Sequence, residues 1–154
     1  MRVLVVGGGC RGLALTRSLA ADGHAVRVVT RTEDGRAAIE DAGGECWIGD
    51  PDRIGTLRYA LANVTILLWA LGRVDVPELH GSRLEMMLER TVDTMVRGVI
   101  YEGGQGVDIV ERMCRLNEVP YALLGADPAD NDAWVAAVLK EIDALLVAHR
   151  PTVR

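Results

Sequence analysis

The segment Val3-Leu4-Val5-Val6-Gly7-x-Gly9-x-x-Gly12 constrains this chain more than any other stretch. A short apolar run of strand type enters three glycines, and a helix-type pattern follows at once. Gly7 permits a tight turn, Gly9 lets the backbone approach an anion closely, and Gly12 lets the helix pack against the strand. The first amides of that helix lack intrahelical acceptors and face the anion. A second apolar run ends in Thr30-Arg31. Strand, glycine turn, helix and strand in this order predict the phosphate-binding half of a dinucleotide fold.

The rest of the chain continues the alternation. Apolar runs at 3–6, 25–29, 45–48, 64–69, 98–101 and 121–124 read as strands. Amphipathic stretches at 11–21, 32–42, 54–62, 77–96, 107–117 and 131–149 read as helices. Strands alternating with helices imply right-handed βαβ units and a parallel sheet covered on both faces. The strands are rich in Val, Ile and Leu without strict alternation, as doubly buried strands should be. In the helix at 77–96, Leu84, Leu88, Val92 and Met95 form one stripe, which Met87, Thr91 and Val96 widen.

Composition narrows the function classes. With 154 residues, 49% hydrophobic and 25% charged, the chain suits one soluble α/β domain spanning 1–154. No apolar run reaches the ~18 residues of a membrane span, and no signal peptide is evident. A net charge of −5 disfavours nucleic acid or an anionic membrane as partner. Cys10, Cys46 and Cys114 are scattered, without metal-ligand spacing, so a reduced cytoplasmic setting and no metal are expected.

Three further segments extend the pattern. Ala42-GGECWIGDPDRIGTLRYALANVTILLWAL-Gly72, Val96-RGVIYEGG and Val119-PYALLGAD resemble the third, fifth and sixth strand regions of atypical and extended short-chain dehydrogenase/reductases, including NmrA-like and NAD-dependent epimerase/dehydratase-type proteins. The resemblance covers residues 1–127. It departs at Val6, which stands where many members have the first glycine of GxxGxxG. It implies a six-stranded, doubly wound Rossmann sheet in the order 3-2-1-4-5-6, with three α/β/α layers. It also implies that Asp50 accepts from the adenine amino group, that Pro51 flanks the adenine, and that Ala70 and Gly72 line the riboses. An alternative for Asp50 is capping of the helix that follows it.

The second strand ends in Thr30 and Arg31, with Arg36 about a helical turn further on, where NAD-preferring sites place an acid. A guanidinium there suits a 2′-phosphate, so NADP is expected ahead of NAD. Arg11, inside the glycine turn, is expected to reach the same phosphate or the pyrophosphate. Cys10 adjoins it, either as an activated thiol or simply as a small residue in a crowded turn. The expected cofactor contacts are therefore Gly7, Gly9, Cys10, Arg11, Gly12, Thr30, Arg31, Arg36, Asp50, Pro51, Ala70 and Gly72.

No catalytic residue can be assigned. The residues four beyond Tyr59, Tyr101 and Tyr121 are Asn63, Gln105 and Gly125, so the family's Tyr-x-x-x-Lys pair is absent, and Glu102-Gly103 replaces its Ser-Ser. Tyr101 and Glu102 are candidates at a strand end, with half-buried packing the plainer reading of Tyr101. His80 reads as a solvated loop residue or a proton donor, His24 and His149 as surface residues, and Trp69 as core close enough to report ligand binding. The expected function is a dinucleotide sensor or binding module. A homodimer or another protein would close its pocket, with dimerisation through the helices flanking strand five. The alternatives are an NADP-dependent oxidoreductase or epimerase-like enzyme with unconventional residues, and a binder of CoA or an adenylate species.

Overall fold

Apolar side chains on both faces of one parallel sheet set the architecture. The structure, a computed structural model, describes residues 1–125 and 130–148. The strands are β1 (Arg2–Gly7), β2 (Ala25–Thr30), β3 (Glu45–Ile48), β4 (Ile66–Ala70), β5 (Gly98–Glu102) and β6 (Tyr121–Leu124). They lie in the order β3-β2-β1-β4-β5-β6, and every neighbouring pair is parallel. The helices are α1 (Gly9–Ala21), α2 (Arg36–Asp41), α3 (Ser82–Arg90), α4 (Val107–Leu116) and α5 (Asn131–Ala148). Both the order and the two-sided covering agree with the sequence reading.

Alternation along the strands sorts the core into two layers. Val3 and Val5 face α1, α2 and α5, where they join Leu15, Leu19, Ile39, Val138 and Ile142. Leu4 and Val6 face the other side and join Leu57, Leu61, Leu84, Met87, Val110 and Met113. Cys114 lies in this second layer, and burial pushes its thiol up to about 11. Among the described residues, no helix is long and apolar enough to cross a membrane.

Three predicted helices are interrupted, two of them for a local reason. The stretch 32–42 resolves into a 3-10 turn (Glu33–Gly35) followed by α2. The stretch 54–62 is two 3-10 turns, Ile54–Leu57 and Tyr59–Leu61. There the Thr56 hydroxyl donates to the Arg53 carbonyl at 2.7 Å, competing with helical pairing. The stretch 77–96 begins as a 3-10 turn (Pro77–His80), breaks at Gly81 (φ −130°, ψ −109°), and is α-helical only to Arg90. Beyond it, the Thr91 and Thr94 hydroxyls donate to the carbonyls of Leu88 (2.7 Å) and Thr91 (2.6 Å). The expected stripe therefore divides: Leu84, Met87, Leu88, Thr91 and Val96 are buried, whereas Val92 and Met95 are 53% and 61% exposed. His149 and residues 126–127 lie outside the described residues.

This division is measurable by chemical denaturation. Met87→Ala should cost about 2–5 kcal/mol, as buried truncations do. Val92→Ala and Met95→Ala should each stay within roughly 0.5 kcal/mol, because these side chains lie beyond the helix.

Candidate functional site

The sheet order reverses between β1 and β4, and there the carboxyl ends of the strands open a crevice. Gly7 and Ala70 are register partners across this seam. A Cβ on Gly7 would stand 2.5 Å from the Ala70 carbonyl oxygen, and the backbone there has φ +87°. Only glycine fits both conditions. Gly8 donates its N–H to Ala70 O at 2.9 Å and, as the N-cap of α1, accepts from Arg11 N–H and Gly12 N–H through its carbonyl. Gly12 packs against β1, where a Cβ would lie 3.0 Å from Gly7 O. A Cβ on Gly9 would meet nothing within 4 Å. The first and third glycines of the motif thus serve packing, and the middle one leaves open space at the helix start.

Three clefts run along this edge. The largest, about 400 Å³, is lined by Gly7, Val29, Thr30, Arg31, Asp50, Pro51, Asp52, Leu71, Val74, Val76 and Leu79. The second, about 350 Å³, lies over the glycine turn against Gly7, Gly8, Gly9, Cys10, Arg11, Ala70, Leu71, Arg73, Val74 and Asn131. The third, about 220 Å³, is bounded by Gly72, Arg73, Val74, Asp75, His80, Gly103, Gly104 and Gln105. Shared walls at Gly7, Leu71, Arg73 and Val74 make them one trough from the end of β2 to the end of β5.

Eleven of the expected contacts line or frame this trough, and Arg36 stands apart. Thr30, Arg31, Asp50 and Pro51 line the first cleft; Gly7, Gly9, Cys10, Arg11 and Ala70 line the second; Gly72 borders the third; Gly12 seats the helix beneath the turn. Arg31 is exposed and has no ion pair among the described residues. Arg36 is held by Glu33, with Nε–Oε2 at 2.6 Å and Nη2–Oε1 at 3.0 Å, and by Glu40 at 3.5 Å. Its hydrogen bond keeps the Glu33 carboxyl below the usual range. The Asp50 carboxylate accepts the Asp52 N–H at 2.9 Å in a local turn, but the 3-10 turn that follows has Arg53 as its N-cap and no side-chain capping bond, so Asp50 caps no helix and lines the cleft.

Arg11 and Glu102 depart most from the sequence reading. Arg11 is only 3% exposed, and Glu102 is wholly buried. Arg11 Nη1 lies 3.0 Å from Glu102 Oε2, and Nη2 donates to Oε1 at 3.1 Å. The same carboxylate accepts the Gly72 N–H at 3.1 Å and the Trp134 indole N–H at 2.6 Å. The Arg11 guanidinium also stacks 4.7 Å from the Trp134 ring centroid. Four elements thus meet on one carboxylate, as buried charge requires. A lone acid directly after an apolar strand was the only sequence signal for it.

His80 is buried rather than solvated. Its Nε2 lies 3.0 Å from the Val74 carbonyl, which can only accept, so Nε2 carries the proton. Nδ1 then accepts from the Tyr101 hydroxyl at 2.7 Å, and that oxygen accepts the Gly106 N–H at 3.0 Å. Tyr101 is fully buried rather than half-buried, and burial raises its pKa against the smaller opposing effect of Gly106. Trp69 is core, its indole N–H donating to Leu79 O at 2.9 Å. Among the described residues, no cluster of His, Cys, Asp and Glu could hold a metal.

No protein-family model and no curated protein sequence matches the chain. Solved structures do resemble it. ChuY, an anaerobillin reductase from Escherichia coli O157:H7, shares 14% identity and a TM-score of 0.65, the match covering 94% of this chain and 91% of that one. A UDP-glucuronic acid 4-epimerase from Bacillus cereus, crystallised with NAD and a fluorinated sugar nucleotide, shares 12% identity and a TM-score of 0.64 over 81% and 56%. The Citrobacter sp. triphenylmethane reductase complexed with NADP(H) shares 18% identity and a TM-score of 0.63 over 80% and 48%. The chain spans about half the length of the last two. These likenesses and the strand order establish a Rossmann-type α/β fold.

The glycine geometry separates two substitutions in thermal melts. Gly7→Ala forces a Cβ onto Ala70 O and should unfold the turn, with a loss above about 3 kcal/mol. Gly9→Ala meets only left-handed strain and should cost about 1–2 kcal/mol.

Proposed function

We propose that this protein binds a nicotinamide dinucleotide, NADP in preference to NAD, as a sensor or binding module without the usual reductase site. The observation that carries the reading is the continuous trough at the β1–β4 switch point, with an anion-seeking turn at its centre. The adenosine belongs in the first cleft, between Pro51 and the end of β2, with the 2′-phosphate on Arg31 and Thr30. Arg31 supports this role because its guanidinium is uncommitted among the described residues, whereas Arg36 is engaged by two glutamates. The pyrophosphate belongs over Gly9 and Cys10, where a helix start meets open space. Arg11 walls the same cleft, which places a cation beside that position. The nicotinamide end belongs near Gly72 and His80, where a bound reduced dinucleotide would supply a hydride.

The absent Tyr-x-x-x-Lys pair favours binding without reduction. Glu102 does not replace it, because its oxygens already accept from Arg11, Gly72 and Trp134. One observation favours the second reading, an NADP-dependent oxidoreductase or epimerase-like enzyme: His80 borders the third cleft with a hydroxyl-backed imidazole.

Titration of NADPH and NADH, followed by tryptophan fluorescence, tests the proposal. Trp134 is the expected reporter through its contact with Arg11. Binding of neither dinucleotide below millimolar would refute the reading, and binding of CoA or an adenylate alone would transfer the site to that ligand. Arg31→Ala should weaken NADPH roughly tenfold, the scale of one charge-assisted contact, and leave NADH unchanged. NADPH should also protect the exposed Cys10 from a thiol reagent at pH 8, where the buried Cys114 stays protonated and silent.

A further inference from the structure

We infer that Glu102 is a positioning residue for the pyrophosphate, acting through Arg11; the inference rests on the dinucleotide reading above. Arg11 is in the first turn of α1, where a cation opposes the helix dipole. It is nevertheless buried, which requires a counter-anion nearby, and Glu102 supplies it through a two-point contact. That contact uses one edge of the guanidinium. Nε has no acceptor, and Nη1 lies beside Oε2 without an aligned hydrogen bond. Buried donors left in this state are rare, because each forfeits its hydration. Arg11 also walls the cleft over the glycine turn.

The geometry therefore presents Arg11 as a clamped cation in the wall of the cleft, its charge held beside the helix start. Glu102 cannot rotate away, because the Gly72 N–H and the Trp134 indole N–H hold both of its oxygens. Stacking on Trp134 fixes the guanidinium plane. The phosphate then meets a preset donor rather than a flexible side chain, so little ordering remains to be done on binding. The Glu102 charge alone would repel a phosphate. Its pairing with Arg11 and the two N–H groups offsets that field, and the clamp outweighs it.

The test is a set of dinucleotide titrations on the folded protein. Glu102→Gln should release Arg11 and weaken NADPH and NADH alike by about tenfold or more, the scale of a lost charge-assisted bond. The NADPH-to-NADH preference set at Arg31 should survive unchanged. Arg11→Lys keeps the charge pair but lacks the Nε edge, and should lose affinity by a similar factor. Arg11→Met combined with Glu102→Gln should bind no more weakly than Arg11→Met alone, since both act through one contact. Unchanged or tighter binding in Glu102→Gln would overturn the inference. So would loss of the NADPH preference, which marks general distortion of the trough, or full additivity in the double variant. If Glu102→Gln fails to fold, Arg11→Lys decides alone: wild-type affinity refutes the role, and a tenfold loss supports it. Failure of the wild type to bind either dinucleotide refutes the underlying reading instead.

Discussion

Crowding at the seam between β1 and β4 sets the terms for the whole edge of the sheet. The two strands run parallel and in register, so the chain leaving β1 must turn within one residue of the Ala70 carbonyl. Left-handed glycine backbone at positions 7 to 9 is the solution. It aims the start of α1 across the strand ends and leaves open space only above Gly9. The trough and the approach of Arg11 to Glu102 both follow from that turn.

The second organising contact is the buried carboxylate. Burying one glutamate without partners would be costly; here four donor contacts from three other segments converge on it. The same contacts tie the glycine turn, the loop after β4 and the start of α5 together behind the central cleft. A neighbouring polar chain, from Val74 through His80 and Tyr101 to Gly106, ties the loop after β4 to the start of α4. Apart from Arg11 Nε and Nη1, the floor of the trough is therefore built from hydrogen-bonded polar groups rather than from apolar packing alone. Such floors hold their shape, since each member is fixed by its partners.

The fold and the residues that line the trough were legible in the sequence because they depend on local rules. The glycine spacing, the Val-rich runs and the strand-end residues Thr30, Arg31, Asp50 and Pro51 each carry their meaning within a few positions. The interrupted helices were not legible. Thr56, Thr91 and Thr94 divert hydrogen bonds to their own backbone, and apolar periodicity cannot register that competition.

The side-chain chemistry behind the site was also out of reach, for a different reason. Arg11 and Glu102 are 91 positions apart, and Trp134 lies 32 further on. Which guanidinium is clamped and which is open to solvent depends on the distances that folding creates. Sequence by itself determined the alternation of elements, the parallel sheet and the glycine turn, since these follow from periodicity and backbone sterics. Tertiary structure alone decided that Arg11 is committed to Glu102 and that His80 is buried. Electrostatic pairing and burial act between residues that only the packed sheet brings together.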